Sequence, residues 1–147
     1  MIDIKLLEQL CLCNGISGDE GNVRNLIINE IKDCADDIKT DNLGNLIVFK
    51  KGKKSAKSKL MVSAHMDEVG LMVTDITSDG YLKFDEVGGI DRRVLPGKRV
   101  CVGRNGLNGV IGVKPIHLTN GDEKTAVPKM NDMYIDIGAE SREDALK

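Results

Sequence analysis

The sequence predicts an α/β fold that opens with helices and a buried strand and continues with a series of short strands. Three observations carry this prediction. Apolar residues recur at helical spacing within the first 33 residues, an unbroken apolar run occupies residues 60–64, and β-rich segments alternate with turn residues from Val69 onward. With 41% hydrophobic and 30% charged residues among 147, the composition is that of an ordinary globular protein.

Two amphipathic segments near the N-terminus predict the helices. In the first, apolar residues at helical spacing indicate a helix over residues 3–13 that ends at the following Asn-Gly pair. In the second, Ser17 and Glu20 form the S-x-x-E pattern of a capping box, so the helix should begin there and run to about Asp33. Two helices therefore open the fold.

The following stretch predicts strands separated by a charged connection. Residues 38–50 are rich in β-formers and contain turn residues, so they form one strand or two joined by a tight turn. Six lysines in residues 50–59 indicate a solvated connection, with a nucleic-acid patch as the less favoured alternative. Residues 60–64 lack alternation, which favours a strand covered on both faces as in a layered α/β sheet.

The second half of the chain predicts an all-β arrangement. Five short strands, separated by turn residues, suggest a small barrel or sandwich. Their sequences are VGLMVTDI, GYLKFDEV, KRVCVG, GVIGVK and MYIDIGA. Residues 114–130 should form a loop, and Ser141 with Asp144 should cap a helix that the end of the chain cuts short. The expected division is therefore an α/β part at 1–68 and a β-rich part at 69–147.

Charge, aromatic content and cysteine usage narrow the class of function. A formal net charge of −2, two Tyr, two Phe and no Trp argue against nucleic-acid or membrane partners. No apolar stretch reaches the length of a membrane span. The four cysteines contain no CxxC pair, so we expect them to be reduced and mostly buried, in a cytoplasmic protein.

His65 and Asp67 are the candidate site residues. His65 ends the apolar run, and residues at the carboxyl end of a buried strand face the crevice where α/β sheets bind ligands. A neutral imidazole there could bind zinc with Asp67 as its supporting carboxylate. A histidine that ends an apolar strand is more often a hydrogen-bonded structural residue, so the spacing alone favours that interpretation and leaves metal binding as the alternative.

Other polar residues have weaker claims to function. Glu68 should be a solvated loop residue. His117, the second of only two histidines, is either a structural or interface residue or reaches toward an active site. Asp91, with the two arginines that follow it, should be a solvated charge cluster or an interface element.

Six separated motifs, in this order, resemble the N-terminal part of the M42 family of metallo-aminopeptidases: GISGDEGNVRNLI, DNLGNLI, AHMDEVG, VGGID, GVIGVKPIHL and YIDIGAESREDA. The family comprises cytosolic glutamyl, leucyl or deblocking aminopeptidases that form dimers or tetrahedral dodecamers, and some members carry an endoglucanase label. The resemblance implies a zinc-aminopeptidase-like catalytic domain beginning in residues 1–68. It also implies a PDZ-like or small-barrel dimerisation insertion in residues 69–147, possibly incomplete.

The resemblance also assigns roles within the candidate site. His65 would bind one metal of a two-metal site, and Asp67 would be the catalytic carboxylate that orients the ligands. The complete enzyme would use two divalent ions, zinc or cobalt, and peptide substrates, with no other cofactor. The family's remaining ligands and its general base lie C-terminal to the matched region. The chain by itself should therefore bind metal weakly and be inactive; the alternative is a non-catalytic, self-associating assembly module.

Overall fold

The computed structural model describes residues 3–54, 57–115, 118 and 126–147 and contains both helices and strands. It divides into two compact units, Met1–Glu68 and Val69–Lys147, called here the N-terminal unit and the C-terminal unit. The prediction of a mixed α/β chain is confirmed.

Two helices open the N-terminal unit. Helix α1 spans Ile4–Leu12 and is capped by the Asp3 carboxylate, which accepts hydrogen bonds from the backbone N–H groups of residues 5 and 6 at 3.0 and 3.2 Å. Helix α2 spans Gly21–Ile31, starting later than the predicted capping box. That prediction is wrong because the Ser17 hydroxyl donates to Asp67 and Glu20 accepts from the Gly18 N–H, so neither side chain caps the helix.

A hairpin follows the helices, which settles the choice between one strand and two. Strands β1 (Asp37–Thr40) and β2 (Leu46–Phe49) pair antiparallel. The Asp41 carboxylate organises the turn by accepting from the backbone N–H groups of Leu43 and Asn45. Arg24 on α2 donates through Nη1 to the Gly44 carbonyl at 2.9 Å. This bond ties the second helix to the hairpin.

The apolar run at residues 60–64 does not form the predicted buried strand. It has no regular secondary structure, and Leu60, Met61 and Val62 are 85–91% exposed. A strand needs a partner for its backbone N–H and C=O groups, and no described strand pairs with this segment. Val23 is the only buried apolar side chain among the described residues of this unit, so no layer covers the run.

The C-terminal unit is a five-stranded antiparallel sheet in the order β3-β4-β7-β6-β5. The strands are β3 (Gly70–Ile76), β4 (Leu82–Val87), β5 (Arg99–Val102), β6 (Leu107–Val113) and β7 (Met133–Asp136). All five predicted strands are confirmed. The expected barrel or sandwich is replaced by a single sheet with β3 and β5 at its edges. Helix α3 (Arg142–Ala145) follows and is capped by Ser141, which accepts from the Asp144 N–H, as predicted.

The core of the C-terminal unit is formed by seven buried side chains from strands and connections: Leu82, Phe84, Leu95, Ile111, Met130, Met133 and Ile135. Ile111 and Met133 are at most 1% exposed. Alternation along β4, β6 and β7 places the five strand residues among them on one face of the sheet, and Leu95 and Met130 come from the connections. This unit therefore has the continuous core that the N-terminal unit lacks.

The cysteine side chains are less buried than the sequence predicted. Cys11, Cys34 and Cys101 are exposed and Cys13 is partly buried, so the prediction of mostly buried thiols is wrong. The reason is position: Cys11 and Cys34 lie in the poorly covered N-terminal unit, and Cys101 lies on an edge strand. All four are described, and no disulfide joins them. Among the described residues, no helix is long and apolar enough to cross a membrane.

Candidate metal-ligand site

His65 and Asp67 form a hydrogen-bonded pair. The Nδ1 atom of His65 lies 2.9 Å from the Asp67 carbonyl oxygen and 3.1 Å from Asp67 Oδ1. Since a carbonyl oxygen can only accept, Nδ1 must carry the proton, and the lone pair of the neutral ring is then on Nε2. The His65 side chain is 85% exposed. The ring is thus held through one nitrogen and offers the other to a ligand, the arrangement typical of metal-binding histidines.

Ser17 completes the environment of Asp67. Its hydroxyl donates to Asp67 Oδ2, while Oδ1 faces His65, so each carboxylate oxygen has its own donor. The hydrogen bond from Ser17 is the main cause that lowers the pKa of Asp67 below its usual value, and the bond from His65 acts in the same direction against partial burial. Asp67 is therefore an ionised acceptor at neutral pH.

A short backbone contact holds this segment against the loop before α2. Ile16 and Glu68 form an isolated parallel bridge, in which the Glu68 N–H donates to the Gly15 carbonyl at 2.8 Å. The Gly15 N–H donates to Glu68 Oε1 at 3.3 Å. Glu68 is exposed and lies in no helix or strand, as expected of a solvated loop residue, and its carboxylate and backbone also bond to the loop before α2.

Gly15 has a packing role in the same contact. A Cβ atom at this position would lie 2.5 Å from Val23 Cγ2, which is closer than real contacts allow. Sequence reasoning used Ser17 only as a helix cap and missed its bond to Asp67. No local pattern indicates this bond, because its acceptor lies 50 residues further along the chain.

The pair lines an open groove of about 720 Å³ in the N-terminal unit. The walls also include residues of the β1–β2 turn and exposed apolar residues, among them Met61 and Val62. A lone pair on His65 Nε2 beside a partly apolar groove could hold a metal next to an organic substrate. The groove is therefore suited to the chemistry that the two side chains favour.

The described residues supply only part of a metal site. No group of three or more His, Cys, Asp or Glu side chains in this part of the chain is placed to hold an ion. Zinc in catalytic sites takes three protein ligands and an open position. His65 thus fits one coordination position with its supporting carboxylate, and the described residues do not fit a complete two-metal centre.

The remaining sequence candidates lie elsewhere. His117 falls outside the described residues. Asp91 precedes a 3-10 helix at Arg92–Val94, and its carboxylate accepts bonds from the backbone N–H and guanidinium of Arg93, which lower its pKa to about 2. Arg92 donates to Glu86 at 2.8 Å. These charges pair with each other at the surface of the C-terminal unit, as expected of a solvated cluster.

Comparison with known proteins identifies relatives over nearly the whole chain. The profile of the M42 glutamyl aminopeptidase family matches residues 44–147. The lysyl aminopeptidase of Pyrococcus furiosus is 36% identical over 149 residues, a match that covers 99% of this chain and 42% of the relative. The chain thus spans about 40% of the length of the curated relatives it matches.

Solved structures agree with the sequence match. The Pyrococcus horikoshii TET1 peptidase, described as assembling into a tetrahedron or a large octahedral shell, is 47% identical with a TM-score of 0.83 and covers 97% of this chain and 42% of its own. A Thermotoga maritima protein described as an endoglucanase is 44% identical with a TM-score of 0.81, covering 95% and 40%. The resemblance deduced from the six motifs is confirmed, and the chain belongs to the M42 glutamyl aminopeptidase family.

Proposed function

We propose that this chain supplies the first metal ligand of a two-metal aminopeptidase acting on peptides. His65 binds the ion through Nε2, and Asp67 holds the ring in the required tautomer. The observation that carries the proposal is the pair of contacts from His65 Nδ1 to two oxygen acceptors, which leaves Nε2 as the lone-pair nitrogen. Family membership supplies the reaction class.

When bound to the complete enzyme, two divalent ions, zinc or cobalt, would lower the pKa of a water molecule and polarise the scissile carbonyl. The residues of this chain orient the imidazole that would bind one of these ions. The ionised Asp67 carboxylate accepts a hydrogen bond from His65 Nδ1–H, which keeps the proton on Nδ1. The groove beside His65 offers apolar surface for the residue on either side of the cleaved bond.

The chain by itself is proposed to be inactive and to bind metal weakly. A single imidazole with one supporting carboxylate leaves most coordination positions to water, because the described residues offer no cluster of three potential ligands. We expect no turnover of aminoacyl p-nitroanilides by the 147-residue polypeptide with zinc or cobalt. Turnover that a chelator abolishes would contradict this.

A chimera tests the ligand assignment directly. In the Pyrococcus furiosus lysyl aminopeptidase, the stretch matched by this chain is replaced by residues 1–147, and lysyl p-nitroanilide hydrolysis and bound metal are measured. We expect the chimera to retain activity. His65→Gln should abolish the binding of one metal ion and lower the activity at least about 100-fold. Asp67→Asn should weaken metal binding by about 10- to 100-fold.

The control for the chimera is Asp19→Asn, a nearby exposed carboxylate whose side chain accepts no hydrogen bond from the described residues. It should leave metal content and turnover unchanged. A His65→Gln chimera that keeps both metals and full turnover would show that His65 is not a ligand.

We also propose that the C-terminal unit mediates self-association into a homodimer or higher oligomer, as a dimerisation domain. Strand β3 supports this because it lies at a sheet edge and exposes the apolar side chains of Met72 and Val73, which are 58 and 42% exposed. Val69, just before the strand, is 55% exposed. The related TET1 peptidase is described as assembling into closed shells. If His65 did not bind metal, self-association would make the chain a non-catalytic assembly module.

The proposed location is the cytoplasm, and neither nucleic acid nor membrane is a proposed partner. Four cysteines without a disulfide are usual in a reducing compartment. The near-neutral charge balance gives no electrostatic reason for binding nucleic acid.

A further inference from the structure

We propose that Ser17 is a positioning residue, which orients the imidazole of His65 by holding the Asp67 carboxylate in place. The inference rests on the proposed role of His65 as a metal ligand and goes beyond it, because it assigns a function to Ser17, which lies 50 residues before Asp67 in the sequence. Ser17 acts through Asp67 and touches neither metal nor substrate.

Two donors share the Asp67 carboxylate, one at each oxygen. Ser17 Oγ donates to Oδ2, and His65 Nδ1 lies 3.1 Å from Oδ1. A carboxylate can rotate about its bond to Cβ, and a bond to one oxygen alone would not stop it. With Oδ2 held by Ser17, Oδ1 stays directed at the ring.

Apart from its hydrogen bonds to Asp67, little holds the imidazole ring of His65 in place. The His65 side chain is 85% exposed, so packing contributes little to its orientation. The segment has no regular secondary structure before Glu68. Hydrogen bonds to Asp67 are therefore the main restraint on the imidazole. One goes to the Asp67 backbone carbonyl, and the other goes to Oδ1 and depends on the position of the carboxylate.

The loop that carries Ser17 is anchored to Glu68. Glu68 exchanges two hydrogen bonds with Gly15, at 2.8 and 3.3 Å, and Ile16 pairs with Glu68 in the parallel bridge. Gly15 packs so closely on Val23 of α2 that a Cβ atom would collide. Ser17 thus donates from a fixed position one residue past this bridge.

The test measures the tautomer of His65 in the 147-residue chain. The two histidines are labelled with 15N, a His117→Gln variant assigns the signals, and spectra are recorded at alkaline pH, where imidazole rings are neutral. Ring nitrogen shifts report the ratio of the Nδ1–H to the Nε2–H form. Ser17→Ala should lower this ratio by about threefold, the effect of weakening one exposed hydrogen bond.

Three further variants isolate the hydroxyl. Ser17→Thr keeps the donor and should restore the ratio. Ser63→Ala removes a serine hydroxyl two residues before His65, which bonds to no described residue, and should leave the ratio unchanged. In an Asp67→Ala background, Ser17→Ala should have no additional effect because the group through which it acts is gone.

Any of three results would overturn the proposal: a wild-type ratio in Ser17→Ala, an equal fall in Ser17→Thr and Ser17→Ala, or a full Ser17→Ala effect without Asp67. Should Ser17→Ala unfold the chain, Ser17→Cys replaces it, since a thiol is a weak donor and should give an intermediate ratio. A wild-type ratio in that variant would overturn the idea as well. The His65→Gln chimera tests metal ligation separately, so a failure of either proposal is recognisable by itself.

Discussion

At the scale of single residues, the chain depends on carboxylates that accept several hydrogen bonds at once. Asp41 organises the β1–β2 turn, Asp67 joins Ser17 to His65, and Asp91 binds the backbone and guanidinium of Arg93. In each case these bonds lower the pKa of the carboxyl group. The sequence pattern indicated Asp67 beside His65 and Asp91 beside the arginines that follow it, but it did not indicate Ser17, because a donor can come from anywhere in the chain.

Asp91 leads to a pH-dependent prediction. Its pKa falls from 3.8 to about 2 on folding, so the carboxylate contributes stability above about pH 4 and this contribution is lost as the pH falls toward 2. Asp91→Asn should therefore lower Tm slightly at pH 6, by about one or two degrees, since the pair is exposed. The difference from wild type should shrink at pH 2.5.

Thermal unfolding followed by circular dichroism at the two pH values checks this. Asp19→Asn serves as the control and should differ from wild type equally at both. A difference for Asp91→Asn that is the same at pH 6 and pH 2.5 would rule out the ionised pair as its source.

At the scale of elements, local sequence patterns predicted correctly which helices and strands are present, but predicted poorly what surrounds each segment. Both N-terminal helices, the hairpin alternative and all five later strands are present because periodicity and turn residues report on neighbours in sequence. The start of α2 was misplaced because Ser17 bonds across 50 residues to Asp67 instead of capping. The run at 60–64 was misassigned because strand formation requires a partner strand, which an apolar composition does not supply.

The pairing of β6 with β7 is specific enough to test with one methyl group. A Cβ atom at Gly112 would lie 2.5 Å from the ring of Tyr134, the residue paired with it across the two strands. The Tyr134 ring also packs against Tyr81, with 4.7 Å between the ring centroids and a tilt of 56°. Gly112→Ala must displace this ring, so we expect it to lower the free energy of unfolding by about 1–3 kcal/mol.

Urea unfolding of the chain measures the effect. Gly89→Ala is the matched control, since a Cβ atom there meets nothing within 4 Å, and it should change stability by less than about 0.5 kcal/mol. Equal denaturation midpoints for the two variants would mean that Tyr134 does not pack against β6 as described.

At the scale of the whole molecule, apolar surface is buried unequally within the two units. The C-terminal unit buries seven apolar side chains in one core, whereas Val23 is the only buried one among the described residues of the N-terminal unit. Both units also expose apolar residues, including those of the edge strand β3. Exposed edges of this kind favour pairing with another chain.

Self-association should respond to charge on that edge. Met72 is 58% exposed on β3, so Met72→Lys should shift the chain toward monomer while leaving its fold intact. Light scattering coupled to gel filtration measures the mass. Asn108→Lys adds the same charge at an exposed site on the inner strand β6 and should leave the oligomer unchanged. A wild-type chain that remains monomeric at all concentrations would contradict self-association.

The sequence by itself determined the helices, the five strands of the second half, the family and the candidates His65 and Asp67. These follow from periodicity, from turn residues and from motifs that are local in the chain. Only the tertiary structure decided that Ser17 and Gly15 hold the Asp67–Glu68 segment, that His65 carries its proton on Nδ1, and that residues 60–62 are exposed. The reason is that hydrogen-bond partners and burial depend on residues distant in sequence, which no local pattern specifies.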